Sequence, residues 1–210
     1  MKSFRICMQN IRKWGSNSRI KMCLIMSFLF VYSYISGMWK IIPLVGEKMN
    51  PWIFPFLFCW RFMKIVFMAP IVFIFCDAPF IDSNQSYVML RTSRKKWCFG
   101  QVLYIYAGSV IYAFVLFFST IIINIGHIKW GTSWGKVLGS AGTSTVLSTL
   151  GINYTTVKVP TIVIRYYTPA QAMFFSFLLM VLSFIFIGLL IYTVNVITKT
   201  NVAGTIIAGF

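Results

Sequence analysis

The chain has 210 residues, of which 59% are hydrophobic, 18% aromatic and only 10% charged. A soluble domain carries about 25% charge, so too little polar surface is present to cover a water-exposed globule. Nineteen Lys and Arg stand against three acids, Glu47, Asp77 and Asp82, for a net charge of +16. The basic residues flank apolar runs and form no single patch, which points to anionic lipid headgroups and away from nucleic acid.

The expectation is an all-α fold: one polytopic transmembrane helical bundle with an amphipathic helix in the membrane plane at its amino end. Residues 1–18 carry that helix. Phe4, Cys7, Met8 and Ile11 share a face at helical spacing. Lys2, Arg5, Arg12 and Lys13 lie largely off it, and Gly15 with the following Ser-Asn-Ser ends it. A basic amphipathic helix of this kind lies in a membrane surface; a basic tail without structure is the alternative.

The first apolar run, 22–39, has no charge and is just long enough to span. No small-x-small cleavage site follows it, which argues against a signal peptide. A loop over 40–50 leads to a second run, 55–76, interrupted by Arg61 and Lys64. Pro55 suits the start of that helix, and Pro70 inside it predicts a kink.

Residues 77–97 are polar. Asp82 or Ser83 suits the cap of a short helix, followed by Arg91, Arg94, Lys95 and Lys96. Uncharged runs at 100–126 and 170–198 exceed the ~20 residues needed to cross. Between them, 127–169 is rich in Gly, Ser and Thr, too polar to span, and reads as a partly helical cap or re-entrant structure. Gly131, Gly135 and Gly139 recur every fourth residue there, a spacing that permits close helix packing. A further apolar stretch, 202–210, is either a re-entrant end or the start of a segment that continues beyond this sequence; the second is the expectation.

The basic bias sets the orientation. Six Lys or Arg precede the first span and four cluster just before the third, against four spread through 127–169. The amino terminus and 77–97 are therefore expected in the cytoplasm, and 40–50 and 127–169 outside.

Catalytic constellations are missing from the sequence. One histidine, His127, ends a span, and three scattered acids cannot form a proton relay. No base is placed to activate a Ser or Thr. The stretch 131–137 (GTSWGKV) lacks the spacing of a phosphate loop. Cys7, Cys23, Cys59, Cys76 and Cys98 form no CxxC pair and read as small apolar side chains. The chain is expected to be no enzyme and to hold no cofactor or metal.

Two features carry a functional reading. Arg61 and Lys64 share one helix face, roughly 9 and 13 Å below an outer end at Pro55 by helical rise. They line a translocation path, or else snorkel to headgroups. The 77–97 segment, held between two spans, is a cytoplasmic docking knob, or else a solvated loop.

The stretch PFIDSNQSYVMLRTSRKKWCFGQVLYI resembles the cytoplasmic coupling region of ABC-transporter permeases of the ABC-2 type. The basic amphipathic start is similar to that family's elbow helix. WGKVLG and TPAQAMFFSFLLMVLSFIFIGLL look like segments of small Firmicute-type members. The resemblance implies a permease in a bacterial plasma membrane, paired with a second copy of itself. Two separate ATPase subunits would hold the ATP and Mg and drive export. It places ATPase docking on Asp82, Tyr87, Val88, Leu90, Arg91, Arg94, Lys95 and Lys96. Small size and aromatic, Met-rich spans are similar to exporters of phenol-soluble modulins and bacteriocins, so a peptide is the favoured substrate. A non-transporting membrane scaffold and an ATP-independent channel or flippase are the alternatives.

Overall fold

The computed structural model describes residues 2–80, 92–142, 157–199 and 203–209. Among these the chain is helical, with no strand and one isolated parallel bridge, Met49 to Ile128. The α-helices are α1 (Lys2–Arg12), α2 (Ser18–Ser36), α3 (Ile42–Val45), α4 (Arg61–Phe75) and α5 (Arg94–Asn124). They continue with α6 (Gly135–Ala141), α7 (Thr161–Tyr166), α8 (Pro169–Thr198) and α9 (Ala203–Gly209).

Local chemistry explains several of these limits. Gly46 closes α3 in the left-handed region at φ 70°, its N–H returning to the Ile42 carbonyl. α8 opens on a reciprocal cap. The Gln171 N–H donates to Thr168 Oγ1 at 3.4 Å, and the Thr168 N–H donates to Gln171 Oε1 at 3.2 Å. Pro169 then occupies the first helical position, where its missing N–H costs nothing.

Three helical stretches are long and apolar enough to cross a membrane: Ser18–Val45, Arg94–His127 and Pro169–Thr198. At 1.5 Å per residue, the 31 residues of α5 extend about 46 Å, well beyond a hydrocarbon core of about 30 Å. Its first turn takes in Arg94, Lys95 and Lys96, which the sequence reading left in the 77–97 loop.

The single helix expected over 55–76 is divided. Residues Phe54–Phe58 form a tight 3-10 turn, a bend follows at 59–60, and α4 begins at Arg61. With 15 residues, α4 is about 22 Å long. Pro70 lies inside it.

The chain divides into two compact units. The first comprises residues 1–26, 68–113 and 181–210. Its core gathers Ile6, Ile20, Ile71, Phe75, Tyr104, Ile105, Tyr112, Phe184 and Ile191, all buried. Phe75 sits in a slot that two glycines keep open. A Cβ at Gly108 would lie 3.2 Å from its ring, and one at Gly188 would lie 2.8 Å from it and 2.6 Å from Ile105. Tyr104 meets the same ring edge-on at 6.0 Å.

Within this unit α1 is docked along α5. Ser3 meets Lys96, Ile6 meets Gly100, Asn10 meets Gln101, and Trp14 meets Tyr104 and Gly108. The contacts climb both helices in the same sense. A Cβ at Gly100 would stand 3.0 Å from that of Ile6, so glycine is what permits the approach. The face expected to be uniformly apolar is therefore split. Cys7 is buried together with Ile6 and Asn10, whereas Phe4 and Met8 are 58% and 38% exposed. Lys2, Arg5 and Arg12 occupy a third sector, also exposed.

At the other end of α8, Lys199 takes a left-handed conformation at φ 54° and α9 turns back beside α8. The Gly204 N–H donates to Asn195 Oδ1 at 2.7 Å. A side chain at Gly204 would collide with the Ile191 carbonyl.

The second unit comprises residues 27–67 and 114–180. Phe54, Phe56, Leu57, Phe67 and Leu116 are buried in it, and Phe54 packs on Phe117 at 5.5 Å and on Phe177 at 6.1 Å. Met49 reaches residues 127–129 through two backbone hydrogen bonds of 3.0 and 2.9 Å. Asn50 Nδ2 donates to the Ser133 carbonyl at 2.5 Å. Gly131 and Gly135 leave room for the Asn50 side chain, while open space surrounds Gly139. The four-residue glycine spacing thus serves one asparagine and not a helix–helix seam, since Gly131 lies before α6 begins.

Candidate functional site

The two features singled out in the sequence fall in different units. Arg61 and Lys64 lie in the second, in the first turn of α4, and both are exposed. Their expected depth of 9 and 13 Å below a helix end at Pro55 does not apply, because the helix starts at Arg61 itself. Phe62 and Ile65, between and beside them, are 56% and 69% exposed. No carboxylate among the described residues pairs with either cation.

Asp82, Tyr87, Val88, Leu90 and Arg91 lie outside the described residues. Arg94, Lys95 and Lys96 are exposed in the first turn of α5. What the first unit does describe is how the flanks of this loop are held.

On the side following α4, Arg19 grips Asp77 with both terminal guanidinium nitrogens, Nη1 to Oδ1 at 3.1 Å and Nη2 to Oδ2. This bidentate geometry is the strong form of the pair. The Arg19 guanidinium holds the Asp77 carboxyl below the usual carboxylate range, partly opposed by burial. One residue on, the Ala78 carbonyl accepts from Asn195 Nδ2 at 2.8 Å. Asn195 is 1% exposed, and its carboxamide oxygen is already engaged by Gly204. One buried side chain therefore joins the loop, α8 and α9.

On the side preceding α5, Ser3 Oγ donates to the Lys96 carbonyl at 2.9 Å. One turn deeper, Asn10 Nδ2 donates to Gln101 Oε1 at 2.9 Å, with both residues buried. Trp14 Nε1 donates to Tyr104 Oη at 2.8 Å. Residues 77 and 78 are thus tied to α2 and α8, and the first turns of α5 to α1.

Sequence reasoning paired none of Arg19, Asp77, Asn10, Gln101 and Asn195 with a partner. A signal was present. Gln101 and Asn195 are amides within otherwise apolar runs, and a buried amide needs a partner. Nothing local, however, says which residue, 91 positions away for Gln101 and 117 for Asn195, supplies it.

In the second unit, polar groups tie the segments between the long helices. Trp39 Nε1 donates to Asn124 Oδ1 at 3.1 Å, and the Trp39 ring stacks on His127 with centroids 4.8 Å apart. Trp52 and Trp134 donate to the carbonyls of Gly131 and Tyr167 at 2.8 and 3.0 Å. Lys136 pairs with Glu47 at 2.7 Å, which holds the Glu47 carboxyl low. His127 therefore serves as an aromatic packing surface. No group of three or more metal-ligating side chains occurs among the described residues.

No family profile, curated protein or solved structure matches the chain.

Proposed function

We propose that the chain is the membrane-spanning permease subunit of an ATP-driven exporter of the ABC-2 type. It works as two copies, with ATP and Mg held by separate ATPase subunits. It sits in a bacterial plasma membrane as a multi-pass bundle with its amino terminus in the cytoplasm. α1 lies at the cytoplasmic face, docked on α5 instead of free on the lipid. The cargo is an amphipathic molecule, a peptide by preference, and Arg61 and Lys64 border its path.

The observation that supports this reading is the clamped loop. A polar segment between α4 and α5, tied after α4 by Arg19–Asp77 and Asn195–Ala78 and followed by an α5 whose first turn is tied to α1 by Ser3–Lys96, suits a part that is pushed from outside the membrane and must move several helices at once. Tyr87, Leu90 and Arg91 share a helical face by spacing, which provides apolar contact for an ATPase groove. Coupling further requires the ATPase to hold this loop differently in its two nucleotide states.

The test is purification of the chain in mild detergent with identification of co-purifying subunits. An ATPase is expected with the unmodified chain, and its loss with Tyr87→Asp/Leu90→Asp, at unchanged membrane insertion. An ATPase retained at full ratio by the double variant, or none with the unmodified chain, sinks the reading and favours a scaffold or an ATP-independent channel. Cysteine labelling from outside is expected to reach position 145 and miss position 86; the reverse overturns the orientation.

A further inference from the structure

We propose that Arg61, Lys64 and Lys158, grouped around Trp60 in the second unit, form a binding site for a carboxylate of an acidic amphipathic peptide. This rests on the exporter reading above and gives its cargo a sign of charge.

The three cations come from two separate segments. Arg61 follows Trp60 directly, and the Lys64 N–H donates to the Trp60 carbonyl at 3.1 Å, so Lys64 stands one helical turn further along α4. Lys158 comes from beyond α6, and its Nζ lies over the Trp60 ring, 5.8 Å from the centroid, within the range of a cation–π contact. The backbone of Lys158 is anchored there. Val157 and Val159 on either side of it are buried. Its N–H donates to Tyr34 Oη at 3.4 Å, and that hydroxyl donates to the Phe56 carbonyl at 3.2 Å. Arg61, Lys64 and Lys158 are all exposed.

Like charges gathered round one ring repel one another. Of the chain's three acids only Glu47 belongs to this unit, and Lys136 holds it at 2.7 Å. No carboxylate among the described residues pairs with Arg61, Lys64 or Lys158. An anionic ligand relieves the repulsion and a cationic one adds to it, so the site selects by sign. A guanidinium fork beside two ammonium groups matches a carboxylate. The apolar neighbours say what the carboxylate is attached to. The Phe62 ring lies 5.9 Å from that of Trp60, and Phe62 and Ile65 are 56% and 69% exposed. Acid beside apolar side chains is what one edge of an acidic amphipathic helix presents. A lipid headgroup is the competing occupant. Cations reach headgroups by snorkelling from a helix, whereas Lys158 lies in no helix and is held at Trp60 by its own anchor.

The full chain in phosphatidylcholine nanodiscs is titrated with a dansyl-labelled amphipathic peptide of Leu and Glu. A Leu and Lys peptide of the same pattern is the control, and binding to empty nanodiscs is subtracted. The acidic peptide is expected to bind and the basic one not. R61Q/K64Q/K158Q should weaken binding about 10-fold, while K158R, which keeps the charge, and K48Q/K129Q, which removes charge elsewhere in the unit, should keep it. Raised salt should weaken binding to the unmodified chain, a readout independent of how any variant folds. Equal affinity for the two peptides, full binding by the triple variant, equal loss in K48Q/K129Q, or salt-insensitive binding overturns the proposal. So does phosphatidylglycerol retained by the unmodified chain and lost by the triple variant without selection between the peptides, which gives the site to lipid. The ATPase scored in the same preparation separates the two levels. An ATPase present without peptide selection removes this site alone, whereas selection without an ATPase keeps the site and removes the ATP-driven reading.

Discussion

Asn10→Leu tests whether α1 is held by its buried amide pair. The substitution keeps the side chain's bulk but leaves Gln101 Oε1, in a residue 1% exposed, without the donor 2.9 Å away. An orphaned buried acceptor costs about 1–3 kcal/mol. Taking about 2 kcal/mol, the population with α1 undocked rises roughly 30-fold. Cys7 reports that population, because it is 2% exposed on the docked face and burial pushes its thiol up, so a maleimide reaches it when the helix opens. With Cys23, Cys59, Cys76 and Cys98 replaced by Ala, the Asn10→Leu chain should label about 30-fold faster than its parent. Asn10→Leu/Gln101→Leu removes both polar groups and should return most of the way, because an apolar pair of similar shape carries no desolvation penalty. Labelling of Asn10→Leu at the parental rate, or of the double variant as fast as the single, refutes the assignment of docking to this pair.

Three further outcomes follow from the geometry. Gly188→Ala forces a methyl against Ile105 and Phe75 and should cost about 1–3 kcal/mol, seen as a lower Tm in detergent. Gly139→Ala, in open space on α6, should be neutral or raise Tm, and equal losses from the two would show that the Phe75 slot is not tight. Because Arg19 lowers the Asp77 pKa, the latch contributes fully above the unfolded-state value near ~4 and fades as pH falls through the lower folded value. The unmodified chain should therefore lose Tm below about pH 4 more steeply than Asp77→Asn, and parallel profiles would remove the latch from the stability of this unit. On the permease reading proposed above, Arg61→Leu/Lys64→Leu should impair transport without changing insertion or assembly, and unchanged transport would leave both side chains to the headgroups.

What the sequence determined by itself is what sums locally. Hydropathy adds residue by residue, so the uncharged runs that become most of α5 and α8 are legible from composition and length, as is the all-α class of the described residues. Basic residues beside those runs are equally legible, since the membrane reads them one at a time. Thr168 and Gln171 lie three apart at the start of α8, a spacing whose partners are in the same turn.

What only tertiary structure decided is which residue faces which. Helical spacing groups Phe4, Cys7, Met8 and Ile11, yet the face that docks is the one carrying Ile6 and Asn10. Gly100 opens a groove for it and Gln101 supplies the complementary amide. The run 55–76 is apolar nearly throughout, yet the chain bends at 59–60 and starts its helix at Arg61. Gly131 and Gly135 have helical spacing but meet Asn50. Arg19 and Asp77, 58 positions apart, and Asn195 with Ala78, 117 apart, show the same limit. A buried polar group must find a partner, and its sequence neighbourhood states the need without stating the address, because the partner is set by how the helices pack.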